Sequence, residues 1–303
     1  MLKTSPAMPS TFDPMTQAAL ATQAVFALAG LWVWYWTHRS GSPWRRPRLP
    51  DWAIPGSGFA IKGVIILFGF VAGTLFARIV LSLVPESVAK DPVPALILSN
   101  TALHCTILLA VVLSLRVSNL FAERRAEIPL ASTSESDPTA LSAPPAPPPA
   151  GLKTLAAGFC TFLAALPVVL LAGVITEWVH DLLGIPLVRQ ELVDIFRATD
   201  NPGRFLWMTI VAVVLAPLTE ESIFRGGLFR YLRTRLPRWL AFVLPAAAFA
   251  VLHGNLAVLA PLTALAVVFS LSYERTGTIA VPMIAHGFFN LNTIVMILAG
   301  VNT

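Results

Sequence analysis

Residues 60–84 read AIKGVIILFGFVAGTLFARIVLSLV, an apolar run whose only charges are Lys62 and Arg78. About 20 mostly apolar residues suffice for a helix to cross the hydrocarbon of a bilayer, and long basic side chains near its ends can snorkel to the headgroups. The whole chain shares this character: of 303 residues, 56% are hydrophobic and 12% charged, with a mean hydropathy of +0.73. Ordinary soluble domains carry about 25% charged residues. The composition therefore excludes a conventional soluble enzyme, a disordered chain and a nucleic-acid binder defined by its basicity. The net charge of +5 and sequence pI near 9.7 orient loops against a membrane rather than grip phosphates. Cys105 and Cys160 lie in apolar runs with no CxxC spacing, so they read as small buried hydrophobes and not as a disulfide framework.

The expected fold is all-α, a polytopic integral membrane protein of about eight transmembrane helices. The spans fall at approximately 17–37, 60–84, 95–115, 154–177, 205–224, 239–255, 257–272 and 278–300. The first ends in Trp32, Trp34, Tyr35 and Trp36, an aromatic cluster suited to the headgroup level. Only Lys3 precedes it and no small-residue cleavage site follows, which favours a retained helix over a signal peptide. With the N-terminus outside, the inner loops hold Arg39, Arg45, Arg46, Arg48, Arg116, Arg124, Arg125, Lys153, Arg225, Arg230, Arg233, Arg235, Arg238 and Arg275. The outer loops hold five basic residues, Lys3, Lys90, Arg189, Arg197 and Arg204. The positive-inside rule thus places both termini on the non-cytoplasmic side.

Residues 126–152, rich in Ala, Pro and Ser, have no apolar period and read as a disordered linker. They separate a three-helix N-terminal unit, 1–125, from a five-helix C-terminal unit, 153–303. The outer segment 178–204 carries Leu182, Leu183, Leu187, Leu192, Val193 and Phe196, consistent with a short amphipathic piece on the membrane surface or a plain connector.

Ionisable groups at membrane depth are costly and mark function by default. In the N-terminal unit His104 stands alone in its span, the pattern of a neutral, hydrogen-bonded packing residue. The C-terminal unit differs. Its span 205–224 ends in LAPLTEESIFR, with Glu220 and Glu221 at what reads as the cytoplasmic end and Arg225 four residues after Glu221. That spacing makes a same-face ion pair of Glu221 and Arg225 and turns Glu220 about 100° away on the helix. One carboxylate is then neutralised while the other faces a cavity. Phe249 and His253 follow at i and i+4, and His286 and Asn290 do so in the last span. A His and an Asn stacked on one face of an uncharged helix seek partners on other helices. His253, fifteen residues into its span, sits too deep to meet the others unless that span is short, tilted or re-entrant.

The run Glu220-Glu221-Ser222-Ile223-Phe224-Arg225, then Phe249-x-x-x-His253, then His286-x-x-x-Asn290, resembles the CPBP (Abi) intramembrane proteases, which include the type II CAAX prenyl endopeptidases. The resemblance covers about residues 205–298. It implies peptide-bond hydrolysis within the membrane. Glu220 would activate a water, His253 would hold or orient it, and His286 and Asn290 would donate hydrogen bonds to the oxyanion. Glu221, Arg225 and Phe249 would support them. The Glu, His and Asn side chains could also ligate a divalent metal such as zinc, with Glu220, His253 and His286 as ligands, although the HExxH spacing of zincins is absent. No GxSG-type nucleophile elbow accompanies the histidines, and Glu274, the other acid, falls in a loop.

The expected partners are the lipid bilayer and a membrane-embedded or lipidated protein or peptide substrate, with no nucleic acid. The expected location is a bacterial plasma membrane, with the active site toward the cytoplasmic side. Two other classes accommodate a buried Glu/His/Asn set: a proton- or cation-coupled transporter, which would favour repeated halves that this chain lacks, and a non-catalytic scaffold or immunity protein, which would gain nothing from buried Glu and His.

Overall fold

The computed structural model describes residues 13–39, 41–42, 47–52, 54–86, 91–126, 148–186 and 191–301. Residues 127–147, which hold most of the expected linker, lie outside the described residues, as do Lys3, Arg45, Arg46, Lys90 and Arg189. The helices are α1 (Pro14–His38), α2 (Gly56–Leu83), α3 (Pro92–Ala126), α4 (Leu152–Leu183) and α5 (Glu191–Ala198), followed by α6 (Pro202–Leu232), α7 (Arg238–Val251), α8 (Leu259–Thr276) and α9 (Ala280–Leu298). No strand occurs among the described residues.

Seven of the described helices are long and apolar enough to span a bilayer, and the protein is an integral membrane protein. The eighth expected span is α7, whose 14 residues reach only about 21 Å, short of the ~30 Å hydrocarbon core. It ends at Val251; the chain then turns at Gly254, at φ +66°, and Asn255 accepts from Ala257 N–H at the turn into α8. The helix of the acidic pair also differs from expectation. It continues to Leu232, so Glu220 and Glu221 lie well inside it rather than at its end. Asn201 caps its start, accepting from the Gly203 and Arg204 amides, with Pro202 in the first turn.

α4 is the central post, packed by α1, α8 and α9, while α2 and α3 pair as a hairpin that meets α6 through α3. α1 thus packs across the expected boundary between the two units. A Cβ on Gly30 would sit 2.0 Å from the Leu163 carbonyl oxygen, and the Trp34 indole N–H donates to Ala164 O at 2.7 Å. Small residues let transmembrane backbones meet this closely. Phe162, Leu166, Leu265, Phe269 and Ala285 form the core where α4, α8 and α9 meet. Cys105 and Cys160 sit on the outside of the bundle rather than in its core.

Glu274 is no loop residue. It lies in the last turns of α8, 4% exposed, and its carboxylate takes Arg238 at 2.7 Å and Arg233 at 3.7 Å. This acid ties the start of α7 and the end of α6 to the end of α8. Two of the arginines at this end, Arg233 and Arg238, are thus paired with a buried acid.

Candidate active site

Glu221 is fully buried, and its Oε1 accepts from Arg225 at 3.0 Å. Arg225, 1% exposed, also donates to Ala266 O and lies against the Phe249 and Phe269 rings, 4.9 and 5.5 Å from their centroids. A buried ion pair survives only when both members are hydrogen-bonded as well, and the guanidinium meets that demand. The acid meets it at one oxygen, because Glu221 Oε2 has no hydrogen-bond partner among the described residues. Arg225, expected among the basic residues of an inner loop, belongs to the core instead.

The same Glu221 Oε1 takes a second hydrogen bond, from His286 Nδ1 at 2.9 Å. A carboxylate paired with arginine only accepts, so Nδ1 carries the hydrogen, and Nε2 is the nitrogen left for Glu220, whose Oε2 is 3.8 Å away. That distance exceeds a direct hydrogen bond. Glu220 itself keeps 25% of its side chain exposed and opens into a cavity of about 360 Å³.

His253, His286, Asn290 and Phe249 line this cavity with Glu220, so three helices and the turn after α7 bring the expected residues together. His253 reaches it because α7 ends early. Its Nδ1 hydrogen-bonds the Phe249 carbonyl at 2.9 Å, and its ring lies 4.7 Å from that of Phe249. Asn290 is placed by a defect in α6. Ala216 N–H donates to Val211 O, five residues back, across a π-helical turn, which deprives Ala212 O of its usual partner. The next candidate in that wide register is Pro217, which has no N–H. Asn290 Nδ2 fills the gap, donating to Ala212 O at 2.7 Å. π-turns of this kind concentrate at functional sites.

His104 is the buried, hydrogen-bonded residue its lone position in the span predicts, and it also stands at the cavity. It lines the cavity from α3, and its Nδ1 lies 2.9 Å from Thr219 Oγ1. Thr219 spends its only hydroxyl hydrogen on Leu215 O, so His104 Nδ1–H is the donor and its Nε2 remains an acceptor. No spacing rule joins His104 to Thr219, because 115 residues separate them. Phe196 of α5 is buried at the same cavity, against Met208, Ile294 and Ile297.

The cavity runs from Glu220 toward the end of the bundle where α3, α6 and α8 begin and α7 and α9 finish. That end is opposite the cluster of Arg230, Arg233, Arg235 and Arg238.

The candidate ligands Glu220, His253 and His286 do not make a metal site: the described residues contain no group of three or more His, Cys, Asp or Glu able to hold a metal ion. The metalloprotease expectation finds no support here, and no step below is routed through a metal.

Residues 202–292 match the family model described as Type II CAAX prenyl endopeptidase Rce1-like. The chain is also 30% identical over 107 residues to "Putative membrane peptidase YdiL" of Bacillus subtilis (strain 168), an overlap of 35% of this chain and 41% of that protein. The chain thus matches less than half the length of that relative. No solved structure matches. The matched segment contains Glu220, Glu221, Arg225, Phe249, His253, His286 and Asn290, and over that segment the resemblance to the CPBP intramembrane proteases is shown.

Proposed function

We propose that the protein is an intramembrane endopeptidase that hydrolyses a peptide bond of a membrane-associated or lipidated protein or peptide. The observation that carries this reading is the division of labour between adjacent acids: Glu221 is sealed against Arg225, and Glu220 stands in the cavity. In the proposed reaction Glu220 takes a proton from a water whose oxygen bonds to the scissile carbonyl carbon, with His253 orienting that water. The carbonyl pair moves onto oxygen. The second amide hydrogen of Asn290 donates to the oxyanion, and His286, held by Glu221, supports it from the same face of α9. Collapse restores the carbonyl, breaks the C–N bond, and Glu220 returns the proton to the leaving nitrogen.

The membrane is read as a bacterial plasma membrane. The positive-inside rule puts the arginine-rich end of the bundle in the cytoplasm. On that assignment the cavity opens toward the non-cytoplasmic leaflet, so the expectation of a site on the cytoplasmic side is revised. The physical reason is that α6 continues past the acidic pair to Leu232, while the cavity residues lie on the other side of that pair.

The test is cleavage of quenched peptides, lipidated and not, by detergent-purified protein. Glu220→Gln is expected to lower turnover by about 10²–10⁴-fold while protein levels in the membrane stay unchanged. His286→Ala and Asn290→Ala should each cost about 10²–10³-fold. Activity that survives Glu220→Gln would overturn the mechanism.

A further inference from the structure

The Glu220 cavity has a wall that the proposed reaction leaves unused. Leu96, Asn100 and His104, each four residues from the next on α3, line it as one stripe. α3 lies outside the matched segment 202–292. The stripe runs from the start of α3, where the cavity opens, to Thr219 beside Glu220.

Each polar member of the stripe is held at one end and offers the other. The Asn100 Nδ2 group donates to Leu96 O at 2.9 Å, which leaves Oδ1 as an acceptor. His104 Nδ1–H donates to Thr219 Oγ1 at 2.9 Å, which leaves Nε2 as an acceptor in the neutral ring. Neither of these two atoms has a hydrogen-bond partner among the described residues, and neither is sealed in the way Glu221 Oε2 is. Both residues line the cavity, so the two acceptors are its uncommitted hydrogen-bonding groups on this side.

A peptide entering a membrane-embedded bundle brings backbone N–H groups with it, and each costs free energy there unless it finds an acceptor. Extended peptides are commonly met by the edge of a sheet, but no strand occurs among the described residues. Side chains must take that role. Four residues of helix rise about 6 Å, and alternate N–H groups on one edge of an extended chain stand about 6.6 Å apart. Asn100 and His104 therefore fit two N–H groups of one strand. An ester lipid or a prenyl chain has no N–H and gains nothing from the stripe. We propose that Asn100 and His104 position the substrate, accepting hydrogen bonds from two backbone N–H groups, two residues apart, of a peptide held extended along α3. The inference rests on the protease reading and names a substrate class within it: an unwound peptide segment rather than an intact transmembrane helix, whose N–H groups are already bonded.

Full-length Glu220→Gln protein in detergent is screened by fluorescence anisotropy against the peptide panel, so that affinity is read without turnover. The tightest-binding peptide is then remade with an ester oxygen in place of each backbone N–H in turn. Two positions, two residues apart, should each lose about five- to tenfold in affinity. Adding His104→Leu should weaken the parent peptide by the same factor and abolish the effect of the ester at one of these positions. Asn100→Leu should do the same at the other. His104→Gln, which keeps a donor for Thr219 and an acceptor for the cavity, should bind like the unmodified ring. With Glu220 restored, the same changes should raise KM with a smaller effect on kcat. If His104→Leu fails to fold, the ester scan with Asn100→Leu carries the test. Ester effects that keep their full size in both variants, or a panel of which no peptide is bound, would overturn the inference. Turnover that survives Glu220→Gln would instead sink the proposed mechanism and leave the coupled affinities standing.

Discussion

Glu220 and Glu221 are chemically identical neighbours, and their surroundings assign them different work. Glu221 is fixed by Arg225 and His286, so it serves as an anchor for the imidazole. Removing its partner should be severe: Arg225→Met leaves a buried, unpaired carboxylate and is expected to cost about 3–5 kcal/mol. Thermal unfolding in detergent measures this, and adding Glu221→Gln to that variant should recover part of the loss. His104→Leu is a milder case. It deletes one hydrogen bond, worth about 1 kcal/mol, and should leave a folded protein. Because His104 lines the cavity beside Glu220, the change should appear as a raised KM with a smaller effect on kcat.

At the level of elements, α6 and α9 meet through irregularities. The π-turn at Val211–Leu215 and Pro217 free the Ala212 carbonyl for Asn290, and Gly287 packs one residue from His286 with no room for a side chain. Its Cβ would stand 2.7 Å from the Val213 carbonyl oxygen. Backbone cannot yield as a flexible side chain does. Gly287→Ala should therefore push α9 from α6 and displace both His286 and Asn290. A misplacement of this kind costs about 10²-fold in rate, so activity should fall by that order while the protein remains in the membrane. The short α7 acts in the other direction. By ending at Val251 it lets His253 reach a cavity that a full-length span would have carried it past.

For the whole molecule, the packing crosses the segment that interrupts it. α1 is fixed to α4, Gln23 Nε2 donates to Asn292 Oδ1 at 2.6 Å, and Thr16 Oγ1 donates to Ala299 O at 2.7 Å. α3 reaches α6 through His104 with Thr219 and through Trp207 with Thr101. Cutting the chain at a protease site inserted between 127 and 147 should leave two fragments that copurify in mild detergent; separation on a sizing column would show that the two parts hold together only through the linker. Orientation is checked by single cysteines in a Cys105→Ser, Cys160→Ser background. A cysteine at Asn201 should react with an impermeant thiol reagent in intact cells, and one at Thr234 should react only after permeabilisation.

Much of this protein was legible from residues in order. Runs such as 60–84 dictate membrane helices, because a bilayer offers no hydrogen bonds to an unfolded backbone. The four-residue spacings of Glu221 with Arg225 and of His286 with Asn290 dictate shared faces, because helical geometry is local. Tertiary structure decided the rest. It put Glu274 in a buried ion cluster, Arg225 in the core, His104 in the cavity and α1 on α4. It also shortened α7 and extended α6, which turned the cavity toward the opposite end of the bundle. The first four depend on contacts between separate helices, and hydropathy and spacing describe one helix at a time.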